Sequence, residues 1–195
     1  MTLAQAMIGA GFMHEDDFKA GGGKADGPFL QILTALQQEV RFLDLGIERI
    51  RLPADGGWYV CLVDKERDEV SKQHGAKYSP EGVMFIRAVV EAIASAQPPA
   101  GKLLAELSMI QLVNLDVKRP TAAAAEGGTQ AARSVRKIPL KDKSILLEEF
   151  TRDGWLHESR TGYYTLGPRT LGELKDLVLS LVSDEVADKL RNDYM

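Results

Sequence analysis

The spacing of hydrophobic residues predicts three helices in the first 45 positions. Apolar residues on one side of residues 3–8 indicate a short helix, and the acidic residues 15–20 indicate a second one. A stripe with three- and four-residue steps then predicts a long amphipathic helix over residues 28–45, ended by Gly46.

The pattern then changes to that of β-strands. Residues 47–52 and 58–63 are β-type runs, and the Pro, Asp and Gly residues between them predict a turn. Both faces of the second run are apolar, which favours a strand that is covered on both sides. Three helices followed by a hairpin are the layout of a winged-helix module. We therefore assign residues 1–66 to a first winged-helix domain.

The same order of elements is predicted a second time, after a polar connector over residues 67–78. Ser79 and Pro80 form a strong helix start, because Ser caps the first turn and Pro has no N–H to leave unpaired. Further helices are predicted over residues 102–113 and 141–152, the latter with Ile145, Leu146 and Phe150 as its apolar side.

A compact hairpin and C-terminal helices complete the second unit. Residues 156–160 and 163–166 are its predicted strands, and Thr170 with Glu173 matches the capping box that begins a helix. The expected fold class is α+β, mainly α with small β-hairpins, arranged as tandem winged-helix domains. The second domain is expected over residues 79–182, with an exposed, mobile basic loop at about 117–137 and a C-terminal helix over 183–195.

The composition of the 195-residue chain is that of a soluble globular protein, with 45% hydrophobic residues and a net charge of −4. Its apolar runs are far shorter than the roughly 20 residues of a membrane helix, and acidic residues follow the N-terminus too soon for a secretory signal. Cys61 is the one cysteine, so an internal disulfide or a cysteine-based zinc finger cannot form. We expect an intracellular protein with no membrane partner and no small-molecule ligand.

No set of residues in the sequence predicts a reaction centre. His14, His74 and His157 have no ligand-like spacing with one another or with Cys61. The paired acidic residues are best explained as solvated groups with nearby cations. No catalytic residue, metal ligand or cofactor is therefore assigned to this chain.

Positive charge is concentrated in one segment of the chain. Between Val117 and Lys143 there are seven basic residues and two acidic ones, although the whole chain is acidic. A flexible basic loop can contact phosphates and release their counterions, and the alternative is a solvated linker. The candidates for contact with double-stranded DNA are Lys118, Arg119, Arg133, Arg136, Lys137 and Lys141.

The long first-module helix is poorly suited to reading a DNA groove, since its one base, Arg41, stands against Glu39 and Asp44. This favours protein–protein contacts, which need exposed apolar residues. The candidates for a partner interface are Met7, Phe12, Met13, Phe18 and Tyr163, each of which could instead complete its own small core. Trp58 and Trp155 are predicted core anchors.

Two groups of motifs resemble the family of non-structural maintenance of chromosomes element 1. Gly154-Trp155-Leu156 and then residues 164–174 (YTLGPRTLGEL) look like the family's second winged helix, where a helix ends in W-L and L-G-x-R-x-L-x-E-L opens the next. Residues 58–63 (WYVCLV), 70–73 (VSKQ) and 77–80 (KYSP) are similar to its wing and inter-domain segment. Together the similarity spans nearly the whole chain.

The resemblance implies a subunit of the structural maintenance of chromosomes five–six complex. Members of the family bind the MAGE-like element 3 as a heterodimer and the kleisin element 4, and act on chromatin in the nucleus in DNA repair and chromosome maintenance. Members usually end in a variant RING finger that supports ubiquitin ligase activity. One cysteine before Met195 cannot supply its ligands, so zinc is expected only if a RING follows.

The sequence therefore leaves two main functions open, beside a third, a ubiquitin ligase that acts by itself and would contain bound zinc. The first is a non-catalytic scaffold within this complex, which touches DNA only peripherally. The alternative is a stand-alone winged-helix DNA-binding transcription regulator.

Overall fold

The computed structural model describes residues 3–21, 29–41, 45–64, 77–117 and 138–194. The first part, here called the N-terminal unit, has the order helix–strand–helix–helix–strand–strand. Its elements are α1 (Leu3–Ala10), β1 (Phe12–His14), α2 (Glu15–Gly21), α3 (Phe29–Val40), β2 (Leu45–Arg51) and β3 (Trp58–Asp64). The three strands form an antiparallel sheet with β3 between β1 and β2.

The second part, the C-terminal unit, repeats this order of elements. It consists of α4 (Pro80–Ser95), β4 (Leu107–Ser108), α5 (Met109–Val113), α6 (Leu140–Arg152), β5 (Leu156–Arg160) and β6 (Tyr163–Leu166). Its antiparallel sheet again has the last strand, β6, in the middle. Three helices follow: α7 (Pro168–Glu173), α8 (Lys175–Leu181) and α9 (Asp184–Asp193). The predicted α+β class is confirmed.

Helix α4 is the central helix of the C-terminal unit. It begins as predicted: the Ser79 side chain accepts a hydrogen bond from the Gly82 backbone N–H, and Pro80 occupies the first turn. Its apolar side, with Phe85, Ile86 and Ile93 among the buried residues, is completely covered. This helix therefore organises the larger of the two cores.

Strand β3 is covered on both faces, as its sequence predicted. Val60 and Leu62 lie in the small core of the N-terminal unit. Cys61 points the other way, together with Ile50 of β2, into the core of the C-terminal unit. The first sheet therefore has its own helices on one face and the second unit on the other.

Two contacts show how closely the units approach. Helix α7 lies against the first sheet at Gly172, where an added Cβ would be 2.8 Å from Ile50 Cδ1. At the edge of the sheet, the Arg51 N–H of β2 donates to the Tyr194 carbonyl at 2.8 Å, so the end of α9 is fixed to the N-terminal unit.

Several predicted element boundaries are wrong. The long helix predicted to Leu45 ends at Val40, and Leu45 and Gly46 belong to β2, because their backbone pairs with β3. The helix predicted over residues 102–113 is reduced to α5, since Leu107 and Ser108 form β4 and pair with β6.

The capping box is also displaced from its predicted place. Thr170 lies inside α7, which begins at Pro168, and its hydroxyl donates to the Trp155 carbonyl at 2.6 Å. A capping box is instead formed by Ser108 and Gln111 at the start of α5.

One of the two predicted core anchors is confirmed. Trp155 is fully buried, with 1% of its surface exposed. Trp58 is half-buried and lies in neither core. It occupies the first position of β3, beside the turn, and the guanidinium of Arg49 covers its ring with 4.0 Å between Cζ and the ring centroid.

Candidate functional site

The described part of the chain holds no group of three or more His, Cys, Asp or Glu residues that could bind a metal ion. In the same residues, no helix has both the length and the apolar character needed to cross a membrane. The features that remain as candidates for function are buried charges and exposed surfaces.

A buried carboxylate joins the start of α4 to the end of α6. Asp153 Oδ2 lies 2.5 Å from Lys77 Nζ and accepts a hydrogen bond from the hydroxyl of Tyr78. Burial raises the pKa of Asp153, but the two hydrogen bonds and the Lys77 charge outweigh it and leave the pKa below its ordinary value. Asp153 is thus ionised at neutral pH and links the two helices.

Two other shielded carboxylates are also held ionised. Glu15 pairs with Lys19 at 2.7 Å and with Arg49 at 2.6 Å. Glu106 pairs with Lys102 and, at 3.7 Å, with Arg160. Burial opposes ionisation of both groups, and the neighbouring cations still lower both pKa values. These ion pairs attach β2 to α2 and the second hairpin to the segment before β4.

The predicted DNA contacts are mostly outside the described residues. Lys118, Arg119, Arg133, Arg136 and Lys137 all lie there. Lys141 is described, and it is exposed in the first turn of α6. The basic segment therefore stays a prediction.

The third helix of each unit has an exposed face with no excess of positive charge. Helix α3 contains no lysine or arginine. The exposed positions of α6 alternate between apolar and charged residues of both signs: Leu140, Lys141, Asp142, Ile145, Glu148 and Arg152. Because phosphate and base contacts need cations and polar donors, neither face resembles one that reads a DNA groove.

Two of the five predicted partner residues are not exposed. Met7 of α1 and Phe18 of α2 have no exposed surface, because both helices pack these side chains against Val60 and Leu62 of β3. The prediction that they form an exposed patch is wrong. Both side chains complete the small core of the N-terminal unit instead.

Phe12 has a different role from the one predicted. It pairs with Cys61 in the sheet and shares its face, which is turned towards the C-terminal unit. There its ring fills the space beside Gly154, where an added Cβ would be 2.5 Å from Phe12 Cδ1. Phe12 therefore makes a contact between the two units.

Met13 and Tyr163 remain partly accessible. Met13 packs against the small core from β1. Tyr163 is half-buried at the tip of the second hairpin, with the Arg160 guanidinium 3.7 Å from its ring centroid. Both stay candidates for partner contacts.

Arg169 is the central residue between the two units. Its Nε donates to Glu173 Oε1 at 2.6 Å, and its guanidinium lies 4.2 Å from the ring centroid of Trp155. It also fills the space beside Gly11, where an added Cβ would be 2.9 Å from Arg169 Cζ. Arg169 lies in one of the sequence motifs but could be given no role from the sequence, because its neighbours are distant in the chain.

A groove between the starts of α4 and α6 was also missed at the level of sequence. Its volume is about 610 Å³. It is lined mainly by Ser79, Glu81, Ile138, Asp142, Ile145 and Leu146. The predicted apolar side of α6 included Ile145, which is instead 45% exposed, while Leu147 and Phe150 are buried.

The chain is similar to known proteins in both sequence and fold. The model of a family described as "Nse1 non-SMC component of SMC5-6 complex" matches residues 2–174. A chain of the solved "Nse1-Nse3-Nse4 complex" aligns with a TM-score of 0.64 and 22% identity, over 88% of this chain and 69% of that chain. The comparison with curated protein sequences gave no match. At this identity, the structural match shows a shared fold.

Proposed function

Because the chain belongs to the Nse1 family of non-SMC components of the SMC5-6 complex, we propose that it is a scaffold subunit that binds a MAGE-like Nse3 and a kleisin Nse4. The family is the one that the two motif groups indicated, so that prediction is confirmed. The solved structure with a similar fold is a complex of Nse1 with Nse3 and Nse4, which supports the same two kinds of partner here.

Each unit is proposed to be a winged helix. Both have the order helix–strand–helix–helix–strand–strand, and in both sheets the last strand lies between the other two. In a DNA-binding helix-turn-helix protein, the second helix of the motif enters the major groove. In this proposal the equivalent helices, α3 and α6, contact proteins.

The surface of α6 is the observation that supports protein binding best. Leu140 is 59% exposed and Ile145 is 45% exposed on this helix. Exposed aliphatic side chains next to a groove are typical of protein interfaces, and they gain nothing from contact with phosphates. We further propose a non-catalytic role in DNA repair and chromosome maintenance, on chromatin in the nucleus, and membership in a family of SMC5-6 components supports this proposal.

Reconstitution tests this proposal directly. The full chain is co-expressed with the Nse3-like and Nse4-like subunits of its own organism, and the products are separated by size. We expect one stable species that contains all three chains. Elution of the chain apart from both partners at micromolar concentration contradicts the proposal.

A matched pair of variants shows whether α6 takes part. Ile145→Glu places a charge in the exposed apolar surface and is expected to weaken assembly. Ser180→Glu makes the same change in charge at an exposed residue of α8 and is expected to leave assembly unchanged. Both variants change an exposed position, so their melting temperatures are expected to stay close to that of the wild type.

The basic segment is the observation that favours the alternative, a stand-alone DNA-binding regulator. Gel-shift titration of the isolated chain with duplex DNA separates the two functions. Tight, sequence-dependent binding supports the regulator, and weak binding that ignores sequence agrees with peripheral contact by a scaffold.

A further inference from the structure

The groove between α4 and α6 has the chemistry of a site for one kind of protein segment. Ile138, Ile145 and Leu146 provide its apolar surface, and Ile138 and Leu146 are also packed on the main core. The floor of the groove is therefore fixed by the fold, whereas Ile145 at its side is 45% exposed.

The walls of the groove are held in place by independent contacts. The Ser79 cap fixes the start of α4, and the Asp153 ion pair with Lys77 fixes the segment just before it. Leu146 approaches α4 at Gly82, where an added Cβ would be 3.6 Å from Leu146 Cδ2. A preformed groove costs less conformational entropy on binding than one that must open.

The volume sets the size of what can enter. At about 610 Å³, the groove accepts one or two large aliphatic or aromatic side chains but not a folded domain. Protein partners commonly supply such anchors from one face of an amphipathic helix.

The charge around the groove indicates which charge the bound helix should carry beside its apolar anchor. Among the described lining residues, Glu81 and Asp142 are acidic and none is basic. Glu148 and Glu149 follow Ile145 by one helical turn, so acidic residues lie on both sides of this side chain along α6. The exposed cations of α6 are Lys141 and Arg152, of which Arg152 lies 4.0 Å from Glu149, so the acidic groups around the groove remain in excess.

We propose that this groove binds a basic amphipathic helix of a partner protein, which inserts an apolar anchor beside Ile145 and places lysine or arginine residues near Glu81 and Asp142. The identity of the partner rests on the proposed function, but the binding chemistry does not. Nucleic acid is disfavoured, because the acidic rim repels phosphates.

A peptide experiment on the isolated full chain tests the chemistry. The probe is a labelled helical peptide with a leucine stripe at i, i+3, i+4 and i+7 and lysines beside it, and a second peptide has glutamates in place of the lysines. Fluorescence anisotropy is expected to show at least tenfold tighter binding of the lysine peptide. Ile145→Glu is expected to weaken binding of the lysine peptide about tenfold.

Charge reversal supplies the matched control. The double variant Glu81→Lys with Asp142→Lys is expected to bind the lysine peptide more weakly and the glutamate peptide more tightly than the wild type does. Asp176→Lys with Asp188→Lys makes the same change in net charge on α8 and α9 and is expected to have a much smaller effect. Equal effects of the two double variants, or unchanged affinity in Ile145→Glu, overturn the proposal.

Cross-linking in the reconstituted complex separates this proposal from the proposed function. A photoreactive residue at position 145 is expected to cross-link to a partner segment rich in lysine or arginine. A complex that assembles without this cross-link keeps the scaffold function and overturns the groove site. A cross-link to residues 118–137 of the same chain also overturns it, because the occupant is then internal.

Discussion

Arg169 lies over Trp155, with 4.2 Å between the guanidinium carbon and the centroid of the indole ring. Trp155 lies between the end of α6 and the start of β5, and Arg169 is in the first turn of α7. The contact therefore joins the two ends of the second hairpin. The same guanidinium pairs with the buried carboxylate of Glu173 and packs on Gly11 of the N-terminal unit. One side chain therefore stabilises the C-terminal unit and its junction with the first.

Arg169→Ala is expected to be strongly destabilising. It removes an ion-pair partner of Glu173, whose side chain is 4% exposed, and the loss of one partner of a buried pair costs about 3 kcal/mol. Urea unfolding measures the change. Arg87→Ala is the control, because Arg87 and Glu91 form an exposed pair that contributes about 0.5 kcal/mol or less. Similar losses in the two variants contradict the role given to Arg169.

Gly167→Ala tests the close approach that begins α7. A Cβ at this position would lie 2.3 Å from the Gly154 carbonyl oxygen, and backbone cannot move aside as a flexible side chain can. We expect a loss of about 2 kcal/mol or more in unfolding free energy. Gly9→Ala in α1 is the control, because an added Cβ there meets no atom within 4 Å. It is expected to raise the unfolding free energy by about 0.5–1 kcal/mol. An unchanged unfolding free energy in Gly167→Ala would show that the backbone at Gly154 moves to accept the added Cβ.

Elements with a strong local pattern could be predicted from the sequence. Strands β5 and β6 match their predicted limits, and α6 begins one residue earlier than expected. Each of these segments carries its own apolar spacing and its own turn or cap residues. Strands β1 and β4 were missed, because three and two residues show no period and acquire their structure by pairing with distant strands.

The candidate surfaces were less predictable than the fold. An apolar residue in a helix is exposed or buried according to what packs against it, and periodicity does not show this. Ile145 was expected in the core and is exposed, whereas Lys143 in the same helix is buried. Its Nζ donates to the carbonyls of Val113 and Leu115 at 2.8 and 2.7 Å, which only the folded chain brings within reach.

The stabilising effect of Asp153 is expected to depend on pH. Its pKa in the folded state is lower than the ordinary value of 3.8, so the stability it supplies is complete above that value and is lost as pH falls below it. Asp153→Asn is therefore expected to cost about 2 kcal/mol at pH 7. The difference from the wild type, measured by urea unfolding, is expected to shrink at acid pH. An equal difference at both pH values contradicts this linkage.

Cys61 is expected to report on opening of the molecule. Its side chain has no exposed surface, and burial raises the pKa of the thiol well above its ordinary value. A thiol reagent at mildly alkaline pH is thus expected to label the native chain slowly and the urea-unfolded chain at once. Arg169→Ala is expected to speed native labelling, because Arg169 and Cys61 both lie where the two units meet. Rapid labelling of the wild type contradicts the burial of Cys61.

The basic segment predicts a defined salt dependence if it contacts DNA. Each phosphate neutralised by a cation releases counterions, so the logarithm of the binding constant falls linearly with the logarithm of salt concentration. Changing Arg133, Arg136 and Lys137 together to Ala is expected to lower both the affinity for duplex DNA and this slope, with little change in melting temperature. Lys175→Ala on α8 is a control for loss of a single distant charge. An unchanged slope in the triple variant shows that the segment is a solvated linker, and it leaves protein binding by α3 and α6 unaffected.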